Sequence, residues 1–180
     1  MTRLIRVCID TDTETIYDII NDSARAYEGH IPPDRYHQPY MAKDELLAEI
    51  VDGIVFHGYE DRGSLVAIMG IQDRGPVILI RHAYTRTEER GKGFGTRLLG
   101  HLLELTTKPV LIGTWRDAEW AVRFYQKHGF KLVDEEQKDR LLREYWSIPQ
   151  RQVETSVVLA DSRYWETLAS ESRRHVGKEP

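Results

Sequence analysis

Cysteine is nearly absent from this chain, and long apolar runs are absent altogether. The one cysteine, Cys8, has no partner for an internal disulfide, which excludes a disulfide-stabilised secreted scaffold. The opening residues MTRLIRVCID lack the apolar segment of a secretion signal. No stretch approaches the ~20 apolar residues that cross a bilayer. We therefore expect a cytoplasmic protein with no membrane partner.

A large excess of charge of one sign is also lacking. The 180 residues carry a net charge of −4 at pH 7, and the lysines and arginines are scattered along the chain. Nucleic-acid-binding proteins usually concentrate basic residues on one face, so we expect no nucleic-acid partner. Because ~150 residues is a common domain length, we expect a single domain over residues 1–180, with a loose tail from about residue 170.

Several motifs that mark other kinds of site are missing. The histidines form no H-x-x-x-H pair, so we expect no metal. The G-x-S-x-G motif of serine hydrolases and the G-x-x-x-x-G-K-[ST] motif of P-loop proteins are absent. The dinucleotide motif G-x-G-x-x-G fails because Gly93-Phe-Gly95 lacks the third glycine. A nucleotide-binding domain, which ATP or NAD would stabilise, is therefore the least favoured of the three functions that we consider.

Apolar residues at helical spacing predict several helices. Thr11 is the expected N-cap of the first helix, and Asp117 is the expected N-cap of the fourth. Gly129 followed by Phe130 predicts a Schellman ending for that fourth helix. The helices are expected over residues 12–27, 46–51, 98–105, 118–128 and 139–146.

Runs rich in β-branched residues predict strands between these helices. The expected strands are 54–59, 64–71, 76–85, 109–115, 130–133 and 153–159. Tight turns join the first three into an antiparallel meander, and the strand, helix, strand order that follows implies a crossover. The sequence therefore predicts an α/β (α+β) fold: a mixed, mostly antiparallel sheet of six or seven strands with helices on both faces.

The stretch ERGKGFGTRLL, residues 89–99, places three glycines directly before a helical leucine stripe. Gly91, Gly93 and Gly95 lack Cβ atoms where a strand turns into a helix. Backbone N–H groups can therefore close around an anion at the positive end of that helix. A flexible surface turn is the alternative, but the alternation of glycines before the leucine stripe favours an anion-binding loop.

Two further patterns stand in order along the chain. R-x-x-G-x-G occurs at Arg90, Gly93 and Gly95, and A-x-x-F-Y-x-x-x-G-F occurs at residues 121–130. Together they resemble the acyl-CoA pyrophosphate loop and the second signature of the GNAT-type N-acetyltransferase superfamily. The resemblance extends from about Ile54 to Val133, and two motifs in the expected order are more specific than either alone.

This resemblance implies acetyl-CoA as the co-substrate, with no metal. The pyrophosphate would be held by Arg90, Gly91, Lys92, Gly93, Phe94, Gly95 and Thr96. The strand over residues 76–85, strand 4 of the family, would splay from the strand over 109–115, its strand 5. In that cleft the backbone of Ala83, Tyr84 and Thr85 would pair with the pantetheine arm. One of these N–H groups would also stabilise the thioester oxygen as it gains charge. The chain departs from the family at Ala118, where relatives often have an asparagine that contacts pantetheine.

The resemblance also implies catalytic groups. Tyr125 falls on the position of the general acid that protonates the departing CoA thiolate, and a core aromatic is the alternative. His82 is the leading candidate for the base, because it lies near the acyl site and histidine ordinarily titrates near neutral pH. A structural histidine with its hydrogen bonds satisfied is the competing interpretation. The other candidate bases are Glu119, His30 and His37.

The implied activity is transfer of an acetyl group from acetyl-CoA to a primary amine by direct attack in a ternary complex. A non-catalytic acyl-CoA-binding or regulatory module is the alternative. The acceptor would be a small-molecule or peptide amine contacted by Tyr36, Tyr40 and Trp115, although a proline-rich loop that covers the core explains the two tyrosines equally well. Residues 139–152, DRLLREYWSIPQRQ, replace a short hairpin of many relatives. We expect them to wall the acceptor pocket or to form a homodimer contact.

Overall fold

The computed structural model describes residues 3–176 of the chain. Its main elements are β1 (Arg3–Val7), α1 (Thr13–Ala24), α2 (Lys43–Val51), β2 (Val55–Asp61), β3 (Ser64–Asp73), β4 (Ile78–Thr85), α3 (Phe94–Glu104), β5 (Val110–Trp115), α4 (Glu119–Lys127), β6 (Lys131–Leu132), α5 (Glu135–Tyr145), α6 (Gln150–Thr155), β7 (Ser156–Ala160) and α7 (Ser162–Val176). No helix among these residues combines the length and the apolar character that a bilayer crossing requires.

Within the described residues, seven strands form one mixed sheet. Their order is β1-β2-β3-β4-β5-β7-β6, and they are mostly antiparallel with β4 and β5 parallel, which confirms the expected fold class. The sequence pattern does not indicate β1, because the segment is short and two of its five residues are arginines. The backbone of β1 nevertheless pairs with β2 along its length, from Arg3 opposite Asp61 onward.

The chain divides into two compact units. The first contains the residues up to Asp73 together with Ile80–Thr106, and the second contains Arg74–Leu79 together with the residues from Thr107 onward. Strand β4 therefore begins in the second unit and continues in the first. The hydrogen bond from Ile78 N to Pro109 O, 2.9 Å, lies within the second unit.

In the first unit, helices cover both faces of the strands. On one face, α1 and α2 pack on a buried cluster that includes Ile20, Leu46 and Phe56. On the other face, the ring of Tyr59 in β2 lies 4.6 Å from the ring of Phe94 in α3. Phe56 and Tyr59 point in opposite directions because successive side chains of a strand alternate between its faces.

His57 is a buried titratable group on the α3 face of the first unit. Its ring lies 5.3 Å from that of His101, it is 5% exposed, and its Nδ1 has no hydrogen-bond partner within residues 3–176. Burial, followed by the charge of His101, lowers the pKa of His57. The unfolded chain therefore binds a proton at His57 more readily than the folded protein does, and stability is lost as pH falls below the ordinary histidine value of about 6.5.

We expect the melting temperature of the wild-type protein to fall more between pH 7.5 and pH 5.5 than that of His57→Leu. The variant cannot take up this proton, so its pH dependence should be shallower. Scanning calorimetry at the two pH values measures the difference, and His30→Gln, which changes an exposed histidine, should behave as wild type. Equal falls in the wild-type protein and in His57→Leu would contradict the assignment.

The second unit packs α5, α6 and α7 around β5 and β7. Its buried cluster includes Leu111, Leu142, Trp146 and Val158. A Cβ on Gly113 of β5 would lie 3.3 Å from the indole of Trp146, so the absence of a side chain at that position lets the tryptophan rest on the strand. The segment 139–152 thus packs through α5 onto the sheet of its own unit.

Asp161 joins the start of α7 to β5. Its Oδ1 accepts hydrogen bonds from Val110 N at 3.1 Å and from Tyr164 N at 3.3 Å, and the side chain is buried. Asp161 is therefore an N-cap that also satisfies a buried strand amide.

We expect Asp161→Ala to lower the free energy of unfolding by about 3 kcal/mol, because it removes the cap and leaves the Val110 N–H unpaired. The melting temperature should then fall by roughly 6–12 °C. Asp161→Asn retains an oxygen acceptor and should lose less. Thermal unfolding of the two variants and of wild type tests this, and an unchanged melting temperature for Asp161→Ala would contradict it.

The structure corrects the two N-caps expected from the sequence. Helix α1 begins at Thr13, and Asp12, not Thr11, organises the preceding turn by accepting from Ile9 N at 2.8 Å and pairing with Arg6 at 2.7 Å. Helix α4 has Ala118 as N-cap with no side-chain cap, so the expected role of Asp117 is wrong. At the start of α1, the bonds of Asp12 to Ile9 N and Arg6 override the capping preference of Thr11.

The structure also corrects the end of the chain. Residues 153–155 belong to helix α6, and strand β7 begins only at Ser156. Val153 and Thr155 are therefore helical and not part of the expected strand. Helix α7 is not indicated by the sequence analysis, and it continues through the region from about residue 170 that was expected to be loose, as far as Val176. The last residues of that expected tail, 177–180, lie outside the described part.

Candidate functional site

The glycine-rich loop of the first unit ends as the N-terminus of α3. Gly91 and Gly93 adopt left-handed φ angles of 77° and 80°, and Gly93 is the N-cap without a side-chain cap. A Cβ at either position would meet no atom within 4 Å, so the space over the loop is open. The first-turn N–H groups of a helix have no intrahelical partner, and no acidic residue lies in this turn. The loop therefore presents backbone donors at the positive end of α3.

Side chains fasten this loop to the end of α1. Nη2 of Arg90 donates to the carbonyl of Ser23 at 2.7 Å, and the carboxylate of Asp22 accepts from Thr87 N at 2.7 Å. Lys92 pairs with Glu89 at 2.6 Å. Arg90 thus binds a helix C-terminus, where the carbonyl groups attract cations. Within the described residues its bonds use Nη2 alone, so Nε and Nη1 remain available to an anion.

Strand β4 is locally distorted at His82, just before the loop. His82 has a left-handed φ of 51°, which a residue with a Cβ rarely adopts without compensating contacts. Ala83, Tyr84 and Thr85 follow it as partly buried residues up to the end of the strand. The backbone of β4 therefore departs from regular extended geometry next to the three residues assigned to pantetheine.

The contacts of His82 come from α2. Its Nε2 is bonded to one carboxylate oxygen of Glu49, and Nη2 of Arg81 donates to the other oxygen at 2.9 Å. Burial is the largest influence and raises the pKa of Glu49, but the hydrogen bonds and charges of His82 and Arg81 outweigh it. The pKa of Glu49 therefore lies below its ordinary value, and the carboxylate is charged at neutral pH.

Aromatic rings connect the proline-rich loop to β4. We call Tyr27, Tyr36, Tyr40 and Tyr84 the aromatic cluster. The ring of Tyr40 lies 6.5 Å from that of Tyr36 and 5.2 Å from that of Tyr27. The ring of Tyr84 lies 6.4 Å from that of Tyr27 and 6.2 Å from that of His82. The structure thus brings the two expected acceptor tyrosines into one continuous cluster with the expected base.

The other candidate bases are differently placed. His37 stacks on Tyr40, with ring centres 6.5 Å apart, but its Nδ1 is bonded to the carbonyl of Pro39. His30 is exposed in the same loop. Glu119 is 74% exposed at the side chain and pairs with Arg123 one helical turn away. His82 has both a charged partner, Glu49, and a ring contact with Tyr84 of the aromatic cluster.

In the second unit, the FY-x-x-x-GF motif lies at the C-terminal end of α4, with Gly129 and Phe130 just after the helix. Phe130 N donates to the carbonyl of Tyr125 at 3.1 Å, Gly129 N donates to that of Gln126 at 3.1 Å, and Gly129 has a φ of 87°. These are the two bonds of the expected Schellman motif, which is confirmed. The rings of Tyr125 and Phe130, 6.0 Å apart, make its apolar contact.

This packing buries Tyr125. Its ring lies 5.1 Å from that of Phe124, the residue is 6% exposed, and burial raises its pKa. Trp115, at the end of β5, is likewise buried and pairs in register with Ser156 of β7. Ala118 is fully buried and offers no polar side chain at the position of the family's asparagine.

A match to a family model identifies the family of this chain. Residues 21–144 match the family model described as an acetyltransferase (GNAT) domain, which covers more than half of the chain. The chain belongs to the GNAT acetyltransferase family. Its chemistry is accordingly acetylation that depends on acetyl-CoA. No curated protein is similar enough in sequence to count as a match.

Solved GNAT structures share the fold. PaiA N-acetyltransferase from Thermoplasma acidophilum, in complex with coenzyme A, has 20% identity and a TM-score of 0.68, covering 89% of this chain and 99% of that one. A GNAT acetyltransferase from Staphylococcus aureus Mu50 has 14% identity and a TM-score of 0.66, covering 90% and 99%. The ribosomal-protein-S18-alanine N-acetyltransferase from Escherichia coli has 12% identity and a TM-score of 0.62, covering 89% and 93%.

The GNAT motifs do not indicate Glu49 or Arg81, although both contact the predicted base or its partner. A weak signal for Glu49 exists, because it lies three residues after the buried Leu46 and therefore on the inner side of α2. Its partner His82 is 33 residues away in sequence, and only the folded chain shows the pair. Among the described residues, no group of three or more potential ligands is arranged to hold a metal ion.

Proposed function

We propose that this GNAT protein moves an acetyl group from acetyl-CoA to a primary amine by direct attack in a ternary complex. The observation that carries this proposal is the open loop at the N-terminus of α3, where Gly91 and Gly93 hold left-handed angles with free space above them. Backbone donors at a positive helix end suit a diphosphate. The family match runs through both compact units, which supports residues 1–180 as one acetyltransferase-like domain.

The residues present fit coenzyme A. The loop from Arg90 to Thr96 would hold the diphosphate through its N–H groups. Phe94 contributes only its backbone, because its side chain is buried against Tyr59. The backbone of Ala83, Tyr84 and Thr85 would pair with the pantetheine arm, next to the distorted position of His82. Bound acetyl-CoA supplies an activated acyl group with a thiolate leaving group.

The chain's own groups would move the protons. His82 would accept one proton from the substrate ammonium, so that the amine can attack. The nitrogen then bonds to the acetyl carbon, the carbon–sulfur bond breaks, and the sulfur takes a proton from Tyr125. Of the two protons that the nitrogen loses, one passes through His82 to solvent and the other replaces the proton that Tyr125 gave. The role of Tyr125 rests on its place in the family motif.

The acceptor in this proposal is a small-molecule or peptide amine. Tyr36 and Tyr40 are supported as acceptor contacts by their continuity with Tyr84 and His82 in ring contacts. Tyrosine faces attract ammonium groups, which favours a cationic amine. Trp115 is proposed for the same role from its position at the end of β5, where it is largely buried.

Two measurements on the purified protein test the function. Calorimetric titration should give saturable binding of acetyl-CoA, whereas ATP and NAD should not bind. A panel of amines, including polyamines, amino acids, aminoglycosides and peptides with free N-termini, should release free thiol with at least one acceptor. Absence of acetyl-CoA binding would overturn the proposal. Binding without thiol release for any amine would favour the non-catalytic acyl-CoA-binding module.

A further inference from the structure

Glu49 connects helix α2 to the strand that carries the proposed base. Its carboxylate uses both oxygens, one on Nε2 of His82 and one on Nη2 of Arg81 at 2.9 Å. The three side chains are 19%, 12% and 13% exposed respectively, so these contacts are largely shielded from water. A shielded carboxylate with fixed hydrogen bonds holds its partners far better than an exposed ion pair does.

Arg81 fixes the carboxylate through a second chain of bonds. Nη1 of Arg81 donates to Oε1 of Gln72 at 3.3 Å, and Nε2 of Gln72 donates to Asp52 Oδ2 at 3.0 Å. Asp52 immediately follows α2, so the chain of bonds begins and ends at that helix. Glu49 is therefore held from its own helix and from β3 and β4, and it cannot turn away from His82 without breaking bonds elsewhere.

The backbone conformation of His82 indicates what its bond to Glu49 does. A left-handed conformation at a residue with a Cβ costs ~1–2 kcal/mol, and the surrounding contacts must compensate for it. The bond to Glu49 is such a contact. Nδ1, the other ring nitrogen, has no hydrogen-bond partner among the described residues and is not sealed from solvent. One ring nitrogen is thus held by Glu49, while the other makes no hydrogen bond among the described residues.

We propose that Glu49 is the positioning residue of the catalytic base: it accepts the Nε2–H of His82, and so leaves the lone pair of Nδ1 to take the proton of the substrate amine. This inference rests on the proposed function, because it needs His82 to act as that base. Glu49 does not touch the substrate. It orients the imidazole, selects the tautomer and stabilises the imidazolium that forms when the proton arrives.

The charges around His82 agree with this role. Helix α2 and its end contribute the carboxylates of Glu49 and Asp52, β4 contributes Arg81 and the phenol of Tyr84, β3 contributes the neutral Gln72, and β2 contributes the ring of Phe56, 6.0 Å away. Arg81 is bonded to Glu49 and to Gln72, and not to the imidazole. The charged group in direct contact with His82 is therefore negative, and it favours the proton's arrival.

Glu49→Gln tests the positioning role, because it keeps the size of the side chain and removes its charge. We expect kcat to fall about 10- to 100-fold while the KM for acetyl-CoA stays unchanged. The acidic limb of the kcat/KM profile should move to lower pH, since the imidazolium loses its negative partner. Glu45→Gln makes the same change at an exposed position of the same helix. It should leave kcat and the acidic limb of the profile unchanged. Thermal unfolding of each variant checks that it is folded.

A double-mutant cycle separates this inference from the function on which it rests. If Glu49 acts through His82, Glu49→Gln should cost little more in a His82→Gln background. Additive losses, or an unshifted acidic limb in Glu49→Gln, would overturn the positioning role while the acetyltransferase activity of the wild type stands. A wild type that shows no thiol release overturns the proposed function instead.

A measurement on the wild-type protein needs no variant and no activity. Nitrogen-15 NMR of histidine-labelled protein reports which ring nitrogen of His82 carries the proton in the neutral form. The proposal expects Nε2–H, with Nδ1 unprotonated. A neutral His82 protonated at Nδ1 would overturn the proposal, whether or not the variants fold.

Discussion

Gly93→Ala is expected to weaken the binding of acetyl-CoA by at least tenfold. Gly93 holds a φ of 80° at the N-cap of α3, where an alanine pays ~1–2 kcal/mol and relaxes the loop towards another conformation. Binding must then restore the strained form, and ~1.4 kcal/mol corresponds to a factor of ten in Kd. The added methyl also occupies the open space into which the diphosphate would come. Calorimetric titration with acetyl-CoA measures the change.

Gly63→Ala is the matched control for this prediction. Gly63 lies in the turn between β2 and β3 with a φ of 81°, and a Cβ there also meets no atom within 4 Å. Both variants carry the same backbone cost, so both should lower the melting temperature, but only Gly93→Ala should lose affinity. Equal affinities in Gly93→Ala, Gly63→Ala and wild type would show that the diphosphate does not bind at this loop.

Tyr125→Phe is expected to lower kcat on the order of 10²-fold, which is the lower range of effects for a general acid. The substitution removes only the hydroxyl and keeps the ring contacts with Phe124 and Phe130. The fold and the Kd for acetyl-CoA should therefore remain as in wild type. Release of free thiol at saturating amine gives kcat, and calorimetry gives the Kd.

The pH profile and a second tyrosine complete this test. Because burial raises the pKa of Tyr125, its phenol stays protonated through the alkaline range, and its ionisation should produce no loss of kcat below pH 10. Tyr164→Phe changes another buried tyrosine of the same unit, also 6% exposed and outside the motif, and should keep kcat. Equal rates for Tyr125→Phe and Tyr164→Phe would remove Tyr125 from the mechanism.

The parts of the fold that the sequence predicts are those set by local chemistry. Gly129 and Phe130 indicate a helix ending because a left-handed residue allows both Schellman bonds, and an apolar residue after it makes the contact that frequently accompanies them. The strand meander is visible because its apolar runs are separated by turn residues. At Val153 the local pattern misleads: alternating apolar residues suggest a strand, but packing in the second unit makes them helical. Tertiary contacts override propensity there.

The candidate site also contains residues that the sequence predicts and residues that only the fold reveals. The loop glycines and Tyr125 are carried by motifs, so the sequence indicates them directly. The neighbourhood of His82 and Tyr84 follows from their shared strand. For Glu49 the sequence carries only the weak signal of its spacing from Leu46, because an acidic residue on an amphipathic helix is ordinarily solvated and its partner comes from a strand far along the chain. The packing of the aromatic cluster is likewise a property of the folded chain.

The contact between Gly113 and Trp146 limits which residues can stand at position 113. An added Cβ at position 113 would lie 3.3 Å from the indole, closer than a Cβ ordinarily approaches, so a side chain there would require Trp146 to shift. If relatives have a short hairpin in place of residues 139–152, as the resemblance to the family implies for many of them, this constraint is absent and the β-branched residues that strands favour would fit there. We expect glycine at this position and the inserted tryptophan to occur together across homologous sequences and to disappear together.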